Sequence, residues 1–569
     1  MRLYNAILKL IIKEKEIMQR TYDDRMFIDT FEHQFTWLNG FMRNVTRYGK
    51  KLAIIDPTED KTWTYEEFNR EANRLAHALR KDGVGKNDVV MIALMNCPEF
   101  CFNYVGPRKI GAILNMANFN LSAGELALLI NHNEPKVIIY SADISETMAQ
   151  AIEMAEHKPV HAVMADNLKG VELPEGHLSY EDYVAGQPEE NPEMDFVPHI
   201  YDEVVRMCTS GTSSLPKSVP LNDINEVLSA HDAIMHYPLN CKDVCMNMTP
   251  LFHRGGSHSG GTCPTFYVGG ALVVVRSFTP RSTLQYVEKY GITYLTGSPA
   301  TLEMLARVQE KTPFDISSLR GLVTMGAPFE KSACMRYLKM LTPNILNGYG
   351  TTETFWNSFL RPYDLPDFAG TVGGSCIDDE VRVVKIYEDR KAEPDEVVPQ
   401  DNETVGEIII RTPAKTTYSY YKNPEEQEKK FYKGWMYTAD LGYWDEHSYI
   451  TVNGRKDDMI VCSAENIYPT QIEEVLSGFD KVKDSIVTAV PDKVRGEVVV
   501  AYVIAEDPTL TIEELANFCH ESPMLSKYKR PRWYRIVDSL PLTATGKKMH
   551  YVMKQQALED LEKGLLKRK

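Results

Sequence analysis

One unit recurs through the first half of this 569-residue chain and leaves few folds open to it: an apolar repeat at helical spacing, a stop, and a short uninterrupted apolar run. Phe68, Ala72, Leu75, Ala76 and Leu79 repeat every three to four positions. The Asp82-Gly83-Val84-Gly85 turn then leads into the apolar run 89–94, which reads as helix, stop, buried strand. The same alternation returns in the run 111–116, the helix at 126–130 and the run 137–140, and again in 271–275, 284–290 and 292–296. Strands apolar on both faces, separated by helices, belong to parallel sheets covered on both sides. Such sheets bind ligands at the loops beyond the carboxyl ends of their strands. The expected class is α/β, and with 43% hydrophobic residues the chain can bury a core of several modules.

The charge balance removes one class of partner. A net charge of -16 and a pI near 5.5 oppose nucleic-acid binding, which needs a basic face. Ten cysteines are scattered between Cys97 and Cys519 without paired C-x-x-C spacing, the pattern of reduced thiols in a cytoplasmic enzyme rather than of a zinc site. Near the start, the apolar stretch 7–12 is broken by Lys9 and followed by Lys13, Glu14, Lys15 and Glu16, too short and too charged for a membrane span. Residues 1–30 read as a leader, disordered or amphipathic, which leaves peripheral membrane contact open. The acidic, proline-bearing stretches 172–195 and 388–403 read as exposed loops, the second joining strand-like segments 381–387 and 406–411. From about residue 457 a separate small α/β module is expected, with strands at 459–462, 485–491 and 498–505 and helices at 469–476 and 511–520. The charged join Gly454-Arg455-Lys456-Asp457-Asp458 suits a hinge. The expected division is therefore 1–30, 31–455 and 456–569.

Polar motifs stand at the ends of these strands. Thr209, Ser210, Gly211, Thr212, Ser213, Ser214, Leu215, Pro216 and Lys217 form a hydroxyl-rich loop with one cation, suited to a polyphosphate. Gly211, Lys217 and Ser218 nearly match the Walker pattern, but Pro216 stands where that pattern needs a glycine and offers no N–H. Taken alone, the loop could equally be a surface turn. Asn347, Gly348, Tyr349, Gly350, Thr351, Thr352 and Glu353 supply an aromatic face, two tight-turn positions, hydroxyls and a carboxylate, the needs of a purine, a phosphate and a magnesium ion. Asp440, after the apolar run from Trp435, can accept from ribose hydroxyls, Arg455 can reach the same sugar, and Lys547 follows a glycine near the end of the small module.

In this order and spacing, the motifs 209–217, 349–353, Asp440, Gly454-Arg455, Glu465-Asn466-Ile467 and 541–547 resemble those of the adenylate-forming superfamily: acyl- and aryl-CoA synthetases, firefly luciferase and peptide-synthetase adenylation domains. The runs Pro250-Leu251-Phe252-His253, Gly326-Ala327-Pro328 and Gly370-Thr371-Val372-Gly373 fit the same series, and the likeness extends from about residue 45 to 555. It implies a large N-terminal domain of helix-covered sheets and a small mobile C-terminal one.

The activity it implies is ATP-dependent ligation of a carboxylic acid to CoA through an acyl-adenylate. The phosphates of ATP fall to Thr209, Ser210, Gly211, Thr212, Ser213 and Lys217, with Thr352 on the α-phosphate and Glu353 on magnesium. Adenine falls to Tyr349 with Gly326, Ala327 and Pro328, and ribose to Asp440 and Arg455. Lys547 is the implied adenylation catalyst and Asp457 the hinge, while Ser463, Ala464, Glu465 and Asn466 line the CoA path. His253 is either a gate at the acyl pocket or a hydrogen-bonded turn histidine. A carrier protein in place of CoA, or a non-catalytic binder, are the competing readings, and monomer and homodimer both stay open.

Against the family pattern, Ser218, Ala439, Ser448 and Ser463-Ala464 replace glycines. Wherever such a backbone needs positive φ, the change should cost roughly 1 kcal/mol. Gly255, Gly256, Ser257, Gly260, Gly261, Met325 and Trp356 lie near the implied acyl pocket. Their small members suggest room for an elongated or an aryl group; a medium or longer acyl chain is preferred here, with an aryl or alicyclic acid as the alternative.

Overall fold

Each of the five apolar runs singled out above forms a strand in the computed structural model, which describes residues 22–209, 217–326, 329–387, 389–462, 465–492, 496–522, 525, 529–542 and 547–569. The helix preceding the first of them, Tyr65–Lys81, starts where Thr64 and Glu67 close a reciprocal capping box, satisfying two otherwise orphaned backbone donors. Its Phe68, Leu75 and Leu79 are fully buried.

Two sheets form the large N-terminal domain. A seven-stranded sheet runs in the order Leu178–Ser179, His161–Ala165, Val137–Ser141, Val89–Ala93, Ile113–Met116, Glu203–Thr209, Lys217–Asn222. Its pairs are parallel except the last, where Thr209 pairs with Lys217 across an antiparallel hairpin. The nine-stranded sheet has a parallel centre built from Val244–Asn247, Tyr294–Gly297, Gly321–Met325 and Ile345–Thr351, with Phe355–Leu360 returning antiparallel beside the last. One apolar core, from Val90 and Leu114 to Phe266 and Trp356, joins residues of both sheets. A third sheet is antiparallel: Glu380–Val384 pairs with Gly406–Arg411, which pairs with Trp435–Trp444. The acidic stretch between the first two of these strands is thus the hairpin connection its position implies.

The other excursion departs from expectation. Residues 172–195 include the edge strand Leu178–Ser179 and the helix Tyr180–Val184, whose Tyr180 and Tyr183 are buried. Asn191, further along, accepts from the buried ammonium of Lys109 at 2.9 Å. Two aromatic side chains give this stretch an apolar anchor that its acidic composition conceals.

The C-terminal domain has its own sheet and core, Ile486, Val500 and Tyr502 among them. It meets the large domain where Thr470 Oγ1 donates to the Asn453 carbonyl at 2.9 Å and packs against Gly454, whose φ of 109° favours glycine. Buried Glu473 ties this domain together. His550 Nε2 lies 2.7 Å from its Oε1 and Lys548 Nζ 3.2 Å from its Oε2. Burial works against the charged carboxylate, yet the His550 hydrogen bond and the Lys548 charge more than offset it and lower the Glu473 pKa. Burial likewise opposes the imidazolium, and the contact with Glu473 nevertheless raises the His550 pKa.

By linkage, the Glu473 contribution is present above the ordinary carboxylate range and lost as pH falls through the lowered value. The His550 contribution is full below its unfolded value of about 6.5 and lost as pH rises through the raised one. His550→Ala should therefore lower the urea midpoint of the C-terminal domain more at about pH 5.5 than at about pH 8.5; equal losses at both would contradict the coupling.

Candidate functional site

The residues expected to hold a nucleotide converge on the carboxyl ends of the central strands. Asp440, in Trp435–Trp444, is held in a fork: Tyr349 Oη donates to Oδ2 at 2.7 Å and Arg455 Nη1 to Oδ1 at 2.7 Å. Register decides the second contact, since Asp440 and Arg455 are paired across adjacent antiparallel strands. Tyr349 comes from Ile345–Thr351, the strand that also carries Asn347, Gly348, Gly350 and Thr351. Gly350 is compulsory there, because a β-carbon would lie 1.5 Å from the Phe355 carbonyl oxygen.

Beyond this strand the chain turns tightly through Thr352 and Glu353. Phe355 adopts φ of 59°, rare for a bulky side chain, and stacks on Trp356 at 4.7 Å. Glu353 is buried and accepts from Tyr420 Oη at 2.5 Å through Oε1. The Thr352 carbonyl accepts from Arg254 Nη1 at 2.7 Å. Buried Arg254 also donates to the Lys415 carbonyl at 2.7 Å and to Ser229 Oγ at 3.1 Å. Burial lowers the Arg254 pKa to about 10, which leaves it charged at neutral pH.

The C-terminal domain delivers Lys547 to the same place. Its Cε lies 3.9 Å from where a β-carbon on Gly326 would stand, and Gly326 follows Gly321–Met325 with φ of 84°. Protein atoms crowd Lys547 from most directions although solvent still reaches it through the cleft. Burial lowers its pKa, Asp440 and Glu353 partly restore it, and Arg455 opposes them. His253 faces the same lysine. Burial and then the Lys547 charge push its pKa down to about 4, so the ring is neutral at physiological pH. His253 Nε2 is buried with no hydrogen-bond partner among the described residues, which removes the reading of a hydrogen-bonded turn histidine.

The phosphate loop begins at Thr209, the last residue of its strand, and ends at Lys217, the first residue of the next. The segment leads into a strand rather than a helix, so the helix N-terminus of a Walker site is not built. Ser210, Gly211, Thr212 and Ser213 lie outside the described residues, as do Ala327, Pro328, Ser463 and Ala464. Lys217 Nζ sits 2.5 Å from Glu426, whose pKa falls to about 2 through hydrogen bonds from Lys217 and Lys429. Asp457 falls in the short turn Lys456–Asp458, and Glu465 and Asn466 open the strand Glu465–Ile467. The neighbours Ile460, Cys462 and Ile467 belong to the core of the C-terminal domain.

Arg254, Tyr420, Glu426 and Lys415 were not singled out from the sequence. Arg254 directly follows His253, but nothing local marks the distant partners of these four residues. The pocket glycines also differ from expectation. A β-carbon on Gly256 would lie 1.9 Å from the Pro250 carbonyl oxygen, one on Gly261 2.0 Å from that of Gly256, and one on Gly255 2.8 Å from Met325 Sδ. These glycines let segments close on one another.

This geometry, two α/β domains with a lysine of the smaller beside Gly326 of the larger, is that of an adenylate-forming enzyme. A family model described as AMP-binding enzyme matches residues 41–421, and one described as AMP-binding enzyme C-terminal domain matches 471–547. The chain belongs to the family of AMP-binding enzymes. It is 28% identical to the probable acyl-activating enzyme 6 of Arabidopsis thaliana over 91% of this chain and 95% of that protein. It is 27% identical to the long-chain-fatty-acid–CoA ligase FadD13 of Mycobacterium tuberculosis over 89% and 95%. Among solved structures, the anthranilate CoA ligase AuaEII in complex with anthranoyl-AMP superposes with a TM-score of 0.82 at 23% identity, covering 93% of this chain and 98% of that one. Among the described residues no helix is long and apolar enough to cross a membrane.

The glycine replacements can be sorted by backbone. Ala439 and Ser448 both have φ of 63°, the strained region expected, whereas Ser218 lies in an extended strand opposite Cys208 and carries no such cost. Ala439→Gly and Ser448→Gly should each stabilise the protein by about 1 kcal/mol, read as a higher denaturation midpoint. A loss of stability in both variants would contradict this assignment.

Proposed function

We propose that the protein is an AMP-forming carboxylate–CoA ligase that uses ATP, magnesium and CoA. The observation that carries this reading is Lys547, brought from the C-terminal domain to the cleft where Gly326, Asp440 and His253 meet. A carboxylate is a poor electrophile, so its oxygen must first be converted to a better leaving group. The carboxylate attacks the α-phosphorus of ATP, the bond to the β-phosphate breaks, and pyrophosphate leaves. The CoA thiol then attacks the acyl carbon and AMP departs. Negative charge is redistributed in both steps, so fixed cations and hydrogen-bond donors are what accelerates them.

In this reading Lys547 bridges the attacking carboxylate and the α-phosphate as a point charge. Neutral His253 borders the acid without adding a second positive charge. Asp440 and Arg455 hold the ribose, Tyr349 packs on adenine with Gly326, Ala327 and Pro328, and Lys217 with the 209–213 loop meets the outer phosphates, exchanging Glu426 for them. The donor set fits magnesium, because Glu353 keeps Oε1 on Tyr420 and has Oε2 left to offer a cation. When bound, that ion neutralises phosphate charge. The C-terminal domain turns about Asp457 after the first step, withdrawing Lys547 and presenting the 463–466 loop to CoA. A cytoplasmic setting agrees with the ten free thiols.

Lys547→Ala should cut acid-dependent pyrophosphate release roughly a hundredfold or more. Thioester formation from a preformed acyl-adenylate and CoA should stay within about threefold of the native rate. Equal loss in both half-reactions would sink the two-conformation scheme.

A further inference from the structure

The lysine at the end of the phosphate loop already holds an anion of the protein's own. Lys217 Nζ lies 2.5 Å from Glu426 Oε2, and the two side chains are only 16% and 14% exposed. The other carboxylate oxygen, Oε1, accepts from Lys429 at 2.8 Å, and Lys429 is 67% exposed. Glu426 is thus shared between a sheltered cation that the reaction uses and an open one that it does not.

Fixed backbones bring the pair together. Lys217 opens the strand Lys217–Asn222, and the carbonyl of the next residue, Ser218, accepts from the Tyr421 N–H at 2.9 Å. Thr417 Oγ1 donates to the Pro220 carbonyl of the same strand at 2.9 Å. The helix Pro424–Lys430 follows, with Asn423 Oδ1 accepting from the Glu426 N–H at 3.2 Å. The helix ends where Lys430 Nζ donates to the Thr438 carbonyl at 3.2 Å, two residues before Asp440. The segment that carries Glu426 is therefore tied to the strand that carries Lys217, and the two charges part by rotation of their side chains.

A polyphosphate gives Lys217 a reason to turn. An ammonium has three donors, but a carboxylate and a phosphate drawn to the same cation repel each other. What Lys217 gains on the outer phosphates is offset by what it gives up with Glu426. Lys429 keeps the carboxylate paired after the exchange, so neither arrangement leaves a sheltered charge bare.

Resting on the ligase reading above, we propose that Glu426 is the anion to which Lys217 returns when no polyphosphate is bound. It is a positioning residue that competes with the outer phosphates, weakens the hold on ATP and helps pyrophosphate leave. AMP and the acyl-adenylate lack those phosphates, so Glu426 does not act against them.

The test compares the full-length native enzyme with Glu426→Gln, nearly isosteric, and with Glu426→Ala, each checked for unchanged melting temperature. By calorimetry without acid, the Kd for magnesium-ATP should fall about fivefold in both variants, while the Kd for AMP stays within about twofold. In turnover, pyrophosphate should inhibit both variants at severalfold lower concentration. Glu428→Gln, the same change of charge at an exposed position of the same helix, should leave all three values within about twofold. Unchanged or weaker ATP binding in the Glu426 variants, an equal gain for AMP, or an equal effect of Glu428→Gln would overturn the assignment. Normal ATP binding with no pyrophosphate from any acid would overturn the ligase reading alone, and a native protein that binds neither nucleotide would overturn both.

Discussion

Two buried cations hold the turn on which the site depends. Arg254 donates to the Thr352 carbonyl and to the Lys415 carbonyl. Lys415 in turn donates to Asp232 at 3.0 Å, Asp379 at 2.7 Å and the Trp356 carbonyl at 2.5 Å. Fully buried charges cost several kcal/mol unless paired and hydrogen-bonded; Lys415 is paired with Asp232 and Asp379, whereas Arg254 donates to neutral acceptors and its Nε has no partner among the described residues. The consequence is geometric. Thr352 and Trp356, the two sides of the tight turn, are tied by their backbones to one charged network, which supports Phe355 in its unusual conformation and sets where Glu353 points. The cost of burying the charges goes into a fixed turn.

Around this fixed turn the site is assembled from separate elements. Asp440 and Arg455 lie on paired strands of the third sheet, Tyr349 and Gly326 at strand ends of the second, and Lys547 on the C-terminal domain. Where the domains join, Thr470 Oγ1 donates to the Asn453 carbonyl and lies close to Gly454. Within the C-terminal domain, by contrast, Glu473, Lys548 and His550 bind the segment just after Lys547 to the helix Pro469–Ser477. The segment that carries the lysine is therefore anchored within the C-terminal domain. Lys548 and His550, whose purpose is opaque in the linear chain, are the anchors.

Much of this architecture is legible in the linear chain because its causes are local. A run such as 89–94 becomes a buried strand whatever lies elsewhere, and a capped helix such as Tyr65–Lys81 declares its own ends. Motif order was also enough to nominate Tyr349, Asp440, Arg455 and Lys547 as members of one site. Backbone requirements at Ala439 and Ser448 were legible too, since a glycine replaced at a turn exposes its conformational demand.

What the chain does not announce is which distant groups neutralise one another and where space is left. Lys415 and Asp232 are 183 positions apart and Arg254 and Lys415 are 161 apart, and no periodicity or motif joins them. The glycines of 255–261 suggested an open pocket because a missing side chain looks like room. Only the folded chain shows how closely neighbouring backbone and Met325 approach Gly255, Gly256 and Gly261. Local propensity and motif spacing thus determined the elements, the family and most of the nucleotide-facing residues. Tertiary structure alone decided the buried charge network and the neutral state of His253, because burial and charge pairing are properties of neighbours in space.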